Sequence, residues 1–340
     1  MDRLGLTEKP FLIPIVKHMK IGKLILQGSL VLAPMSRVTN LPLRLLCKKY
    51  GVSLVYSEMI SSEAVVRENP KSLALGMIAE EERPVAIQLM GSDPNTLQRS
   101  AQSLEKIYKP DIIDLNFGCP AQDVVRSGCG AALLKGTDNI RDIIERLTAS
   151  LDVPVTAKMR ILDSIDSTVE IARTIEKAGA SAITVHGRTQ MQGYSGMVNI
   201  ETIKAIKSAI SIPVIANGDI RDEKTAGHML EYTKCDGLMI GRAAVGDPYI
   251  FHRISHYLKT GEMLPHRTFD ERLEDFFEYA KLCRKYEMLA YSDIKIKAQR
   301  FLKNRADIKS VRERVNGAVD IDSIMEIMEE LRAAKVQVVC

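Results

Sequence analysis

From about residue 30 to residue 258 the chain alternates short apolar, β-branched runs with stretches whose apolar positions recur at helical spacing. "LVLAPMS" (30–36), "LVYSEMI" (54–60), "PVAIQLMG" (84–91) and "DIIDLNFG" (111–118) read as strands. So do "PVTAKMR" (154–160), "AITVHGRT" (182–189), "PVIANGDI" (213–220) and "GLMIGRA" (237–243). Between them lie helical patterns such as "STVEIARTIEKAG" (167–179) and "NIETIKAIKSAI" (199–210). In the first, Val169, Ala172, Ile175 and Ala178 recur every three residues, and Gly179 supplies a C-terminal stop. The strand runs are apolar almost throughout, as parallel strands buried on both faces should be.

Eight strand–helix units in about 230 residues match the count and size of an α/β fold of the (β/α)8 TIM barrel type. The competing arrangement, an open doubly wound sheet, lacks its Gly-x-Gly-x-x-Gly fingerprint after the first strand. "MKIGKLILQGSLVL", ahead of the first barrel strand, reads as a short hairpin plugging the bottom of the barrel. After the Gly- and Pro-containing "YLKTGEMLPHRT" (257–268) the pattern becomes helix only, in "FDERLEDFFEYAKLCRKY", "YSDIKIKAQRFLKNR" and "IDSIMEIMEELRAAK". The expected organisation is a catalytic barrel over 1–258 and a small C-terminal all-helical domain over 266–340.

Composition changes this picture little: 46% of the 340 residues are apolar and 26% charged, as in an ordinary globular protein. No apolar run approaches the roughly 20 residues of a membrane span. "FLIPIV" is too short, and too broken by proline, for a signal peptide. The six cysteines form no Cys-x-x-Cys pair and no zinc-like spacing, which argues against a disulfide framework or a metal and for a reducing, cytoplasmic setting. The net charge of +4 is unevenly spread. Lys281, Arg284, Lys285, Lys295, Lys297, Arg300, Lys303, Arg305, Lys309, Arg312 and Arg314 face only four acidic residues in the same segment, an excess of seven positive charges. Such an excess is a candidate polyanion-binding face.

A barrel carries its site at the C-terminal ends of its strands. Those ends hold Ala33, Pro34 and Met35; Glu58; Gln88; Asn116 and Cys119; Lys158 and Arg160; His186 and Arg188; Asn217, Gly218 and Asp219; and Gly241 with Arg242. Each alone has a bland explanation, since a cysteine there is commonly core filler and a glycine commonly marks a turn. Together on one rim they would leave hydrogen bonds unmade, at about 1–3 kcal/mol each, unless a ligand met them. "NGD" and "GRA" after the last two strands occupy the usual phosphate corner of such barrels. Gln88, Lys158 and His186 could donate to a flat heterocycle rich in carbonyls and nitrogens. The combination describes flavin mononucleotide (FMN). A sugar-phosphate isomerase would need an acid–base pair instead, and Glu58 is its one obvious candidate.

The set "LAPMSRVTN", "YSEMI", "IQLMGSDP", "DLNFGCPAQDVVRSGCGAALLK", "AKMR", "VHGRTQMQGYSG", "IANGDI" and "MIGRAAVGDPYIF", in that order, resembles the flavin-dependent tRNA-dihydrouridine synthases over residues 30–255. Asn-x-Gly-Cys-Pro joined to "SGCGAALL" is the most specific part, while "GDPYIF" departs from the Asn-Pro-Trp common in that family. The resemblance implies FMN reduced by NADPH, hydride transfer to uracil C6, and Cys119 as the acid that protonates C5. A thiol is mostly protonated at neutral pH and can serve as that acid. The glycine before Cys119 would allow a tight turn and the proline after it would fix one φ.

By the same resemblance Ala33, Pro34, Met35, Gln88, Lys158, His186, Asn217, Gly218, Asp219, Gly241 and Arg242 hold the cofactor. Asn116, Arg160 and Tyr194 meet the substrate, no metal is expected, and Cys129 is structural. The basic helical tail is expected to bind tRNA, offsetting with backbone contacts the cost of extruding a stacked base. A monomer with no membrane partner is expected. The alternatives are a flavin barrel acting on a small molecule such as a free pyrimidine, which would need no basic appendage, and an RNA-binding protein on a retired barrel.

Overall fold

The protein is described from a computed structural model covering residues 18–302 and 308–333. "FLIPIV", Lys303, Arg305 and Cys340 lie outside the described residues. Strands β1 (Met19–Ile21) and β2 (Leu24–Leu26) form an antiparallel hairpin, turned at Gly22 with φ +57°. The barrel strands are β3 (Leu30–Leu32), β4 (Val55–Ser61), β5 (Val85–Met90), β6 (Ile112–Phe117), β7 (Val155–Arg160), β8 (Ile183–His186), β9 (Val214–Asn217) and β10 (Gly237–Ile240). All eight pair in parallel, in the order β3-β10-β9-β8-β7-β6-β5-β4. The ring closes between the two ends of that order, where Leu32 N–H donates to Leu54 O at 3.0 Å and Ser53 N–H to Leu30 O at 2.8 Å. This is the TIM barrel the strand pattern predicts.

The hairpin is a plug. Met19, Ile21 and Leu26 are buried in one cluster with Val31, Leu54 and Ile112 of the barrel interior. A Cβ on Gly22 would meet the ring of Pro154 at 2.9 Å, just before β7, so the turn lies against the lower rim. The outer helices start on side-chain caps that answer their unpaired N–H groups: Asn40 caps Leu41–Lys49, Asp93 caps Pro94–Tyr108, and Asp222 forms a capping box with Thr225. The helix expected over 167–179 spans Ile165–Lys177, with Gly179 at φ +100° beyond it. Its buried face runs through Thr168, Ile171, Ala172 and Ile175, while Val169 is half-buried. A strict three-residue period drifts off a 3.6-residue helix, so Val169 turns toward the edge of the buried face.

Beyond the barrel's last helix (Ile250–Thr260) the described residues form four more: Phe269–Lys285, Tyr291–Phe301, Lys309–Gly317 and Ile321–Ala333. The third escaped the sequence pattern because "KSVRERVNG" offers only Val311 and Val315 as an apolar face. The tail packs on the barrel through polar contacts as well as apolar ones. Asn40 Nδ2 donates to Tyr279 Oη at 2.8 Å, Arg267 bonds both Tyr50 and Asp275, and Lys297 Nζ donates to Val38 O at 2.9 Å. Lys297 is fully buried, so it is not part of a basic surface. Among the described residues no helix is long and apolar enough to cross a membrane.

Arg44 and Glu82 make a buried two-bond ion pair at 2.7 and 2.9 Å, and Arg44 also donates to Thr39 O and Met77 O. Removing one partner of such a pair strands a buried charge. Glu82→Ala is therefore expected to destabilise the full-length protein by about 3–5 kcal/mol in urea unfolding. A loss below about 1 kcal/mol would mean that Arg44 finds another partner or water.

Candidate active site

Closure of the barrel gathers the strand ends around one cavity of about 1450 Å³. Every site residue expected from the sequence lines it: Cys119; Ala33, Pro34, Met35, Gln88, Lys158, His186, Asn217, Gly218, Asp219, Gly241 and Arg242; and Asn116, Arg160 and Tyr194. Cys47, Cys129, Cys235 and Cys283 are buried, whereas Cys119 is partly exposed.

The Cys119 turn is built from below. Thr156 Oγ1 donates to Asp114 Oδ1 at 2.6 Å and Gln88 Nε2 to Asp114 Oδ2 at 2.7 Å. Gln88 Oε1 then accepts from Asn116 Nδ2 at 2.9 Å. Asn116 Oδ1 in turn accepts from the backbone N–H groups of Gly118 (3.1 Å) and Cys119 (2.9 Å). A buried carboxyl thus orients two amides and, through them, the loop that carries the thiol. Gly118 does not use a left-handed turn; a Cβ there would press on the β7 backbone at Met159 and Arg160, 3.2–3.3 Å away. The second glycine of "SGCGAALL" has a related reason. Gly130, at φ +60°, lies against Cys119, whose carbonyl a Cβ would approach to 2.8 Å. Ala131 N–H also donates to that carbonyl at 3.1 Å.

Arg160 closes the loop from the other side. It donates to Gly118 O at 2.8 Å and to Thr189 O and Gly193 O at 2.9 and 2.8 Å. Tyr194, on the loop so held, is exposed, with the guanidinium of Arg242 4.8 Å and that of Arg160 5.8 Å from its ring centre.

Lys158 Nζ donates to Asn217 Oδ1 at 3.2 Å, and Asn217 Nδ2 donates to Met239 O at 2.8 Å. Burial and the neighbouring Arg160 lower Lys158 to about 8, so its ammonium stays mostly charged at neutral pH. His186 is pushed down to about 2 by burial and by the surrounding cations, beginning with Lys158, so its ring is neutral. Its Nε2 lies 3.4 Å from Arg188 Nη1, an obligate donor, which leaves Nδ1 to carry the ring proton. Asp219, at φ +51°, accepts both oxygens' worth of bonds from Arg188 Nη2 at 2.8 and 2.7 Å, and one from Val198 N–H. Its carboxylate is held below the usual range by Arg188.

Three features of the site escaped the sequence. Glu58 stands at a strand end but does not line the cavity; its carboxylate accepts the Arg37 N–H, and burial raises its pKa. The β4 register shifts between Tyr56 and Met59, and Met59 lines the cavity instead. Nothing in "YSEMI" signals that bulge. Arg37 and Arg300 also line the cavity, the second reaching it from the tail helix Tyr291–Phe301. Arg188 was visible at its strand end, but its pairing with Asp219 was not. Among the described residues no group of three or more His, Cys, Asp or Glu side chains could hold a metal ion.

Residues 31–336 match the family described as dihydrouridine synthase (Dus). The chain is 42% identical to "tRNA-dihydrouridine synthase B" of Pseudomonas aeruginosa over 248 residues, 72% of this chain and 74% of that protein. It is 42% identical to "tRNA-dihydrouridine synthase B" of Escherichia coli (strain K12) over 249 residues, 73% of this chain and 77% of that protein. Among solved structures, histamine dehydrogenase from Rhizobium sp. 4-9 superposes with a TM-score of 0.56 at 12% identity, covering 78% of this chain and 50% of that one. At that identity the likeness concerns the fold alone.

Burial raises the Asp114 carboxyl to about 6. Its ionisation therefore opposes folding: the stability it contributes is full below about pH 4 and is lost as pH rises through 6. Asp114→Asn removes the titration, so the variant should gain on the wild type by about 3 kcal/mol between pH 4 and pH 7 in urea unfolding, with little further change above. Parallel pH profiles for the two proteins would contradict a buried, titrating Asp114.

Proposed function

The chain belongs to the dihydrouridine synthase family, and from that membership we propose that it reduces uridines of transfer RNA to 5,6-dihydrouridine, with FMN as cofactor and NADPH as its reductant. The observation that carries the reading is Cys119: of the cysteines described, it alone is not buried, and it stands in a cavity walled by cationic and amide donors.

The residues fit FMN. The cavity exceeds the roughly 300–1,000 Å³ of a single-ligand pocket, leaving room for cofactor and nucleoside together. Gly218, at φ +117°, leaves a hollow that a Cβ would fill by colliding with His186 and Val198. A Cβ on Gly241 would stand 3.5 Å from Ala33 Cβ and 3.6 Å from Met35 Sδ, narrowing the same corner. Gly218, Gly241 and Arg242 would hold the phosphate, and Asn217 with the Asp219–Arg188 pair would hold the ribityl chain. Gln88, Lys158 and neutral His186 would meet the ring's carbonyls and nitrogens, with Ala33, Pro34 and Met35 along its apolar face.

Bound and reduced, FMN would supply a hydride to uracil C6. Cys119 donates the proton to C5, and its thiolate regains a proton from solvent through the open side of the cavity. Asn116 holds the thiol's loop through its amide oxygen and lines the cavity that would receive the uracil. Arg160 ties the same loop through Gly118 O to the Tyr194 loop through Thr189 O and Gly193 O, and has Nη2 left for the base or its ribose-phosphate. Tyr194 offers an exposed ring beside the incoming nucleotide. The tail, residues 266–340, acts as the RNA-binding domain. Its exposed cations include Lys281, Arg284, Arg300, Lys309 and Arg312, and these offset the cost of extruding the base through backbone contacts.

Cys119→Ala is expected to keep its flavin and its reduction by NADPH, while uridine turnover in a transfer RNA transcript slows by roughly 10²–10⁴-fold. Wild-type turnover in that variant would remove the thiol from the reaction. Arg242→Ala should weaken FMN retention by about tenfold or more, the loss expected for one charged hydrogen bond. An unchanged flavin dissociation constant would contradict the phosphate assignment.

A further inference from the structure

Burying a lysine is costly unless its ammonium is paired and hydrogen-bonded. Lys297 is fully buried, and its Nζ donates to Val38 O at 2.9 Å and lies 5.3 Å from the Tyr279 ring centre. The carboxyls of Asp293, on its own helix, and Glu58, on β4, favour its charge electrostatically. Its effect is to fasten the tail helix Tyr291–Phe301 to the loop 34–40 that follows β3. The helix is also pressed close at Arg300, whose backbone a Cβ on Gly246 would strike.

Each fastened segment carries an arginine next to the fastening point. Arg37 adjoins Val38, and Arg300 lies three residues, about one turn, beyond Lys297. Both are exposed and both line the cavity. Arg37 holds φ +59°, a region side chains rarely adopt, and the Glu58 carboxylate accepts its N–H. The same loop is further tied by Thr39 Oγ1 to Met35 N–H and by Arg44 to Thr39 O. A rigid, strained backbone thus presents the Arg37 side chain. Three other cations of the cavity are engaged, Arg188 with Asp219, Arg160 with three carbonyls and Lys158 with Asn217, and Arg242 is assigned above to the cofactor. Neither Arg37 nor Arg300 has a carboxylate partner for its guanidinium among the described residues.

We propose that Arg37 and Arg300 form a clamp for adjacent phosphates of the RNA strand that delivers the target nucleotide, an inference that rests on the function proposed above. Guanidinium forks match phosphate oxygens. Arg37 is an unsuitable ligand for the cofactor phosphate, because that corner lies over β9 and β10, whereas Arg37 is tied to β4 on the other side of β3. The two arms come from the barrel and from the tail, so the clamp forms only when both are docked.

The test is fluorescence anisotropy of the full-length, flavin-loaded protein with an unmodified transfer RNA transcript, between about 50 and 200 mM salt. Arg37→Gln and Arg300→Gln should each reduce the slope of log affinity against log salt by about one, and the double variant by about two. Flavin content and flavin affinity should match the wild type. An unchanged slope in both single variants, with wild-type protein binding and reducing the transcript, overturns the clamp alone. Flavin loss in either variant also overturns it, assigning the arginine to the cofactor. Wild-type protein that neither binds nor reduces the transcript overturns the proposed function, and the clamp with it.

Discussion

Leu32 donates a hydrogen bond to Leu54 O, and Ser53 to Leu30 O, and with these bonds the first barrel strand meets the second and the sheet has no open edge. In a closed ring of parallel strands every C-terminal end must emerge on the same rim. Residues as distant in the chain as Pro34 and Arg242 therefore border one cavity. The hairpin plug at the other end, and helices capped by Asn40, Asp93 and Asp222, keep the cylinder filled and covered. An open sheet of the same strands would scatter the same side chains along a line.

On that rim, polar groups are held mostly by one another, which preorganises them. The sequence of contacts from Thr156 through Asp114, Gln88 and Asn116 ends on two backbone N–H groups of the Cys119 turn. Arg160 binds that turn from outside and Gly130 packs beneath it. Each link, left unmade in the interior, would cost about 1–3 kcal/mol, so the thiol's position is fixed by burial energetics elsewhere. Cations concentrated in the same cavity, with His186 kept neutral among them, give it a field that favours anionic ligands.

The eight strands and the rim residues were legible because a closed parallel barrel maps strand ends onto the site directly. What was not legible depends on local geometry that residue types do not encode. The shift in β4 exchanges Glu58 for Met59 at the cavity wall. Gly118 is required by the close approach of β7, not by its own dihedral angles. Asp219 was legible at its strand end, but the pairing of its carboxylate with Arg188 was not. Lys297 counted as one more positive charge on a basic segment, yet it is sealed between tail and barrel. Charge counts along a chain cannot tell a surface cation from a buried one that finds a carbonyl.

The central claim is that this rim seats a flavin with Cys119 facing an open slot for a pyrimidine. A crystal structure of the full-length protein loaded with FMN tests it most directly. The account predicts the phosphate at Gly218, Gly241 and Arg242, the ring beside Lys158 and His186, and the Cys119 sulfur turned into the remaining space. A flavin bound elsewhere, or a Cys119 sulfur packed among aliphatic side chains away from the ring, would contradict it.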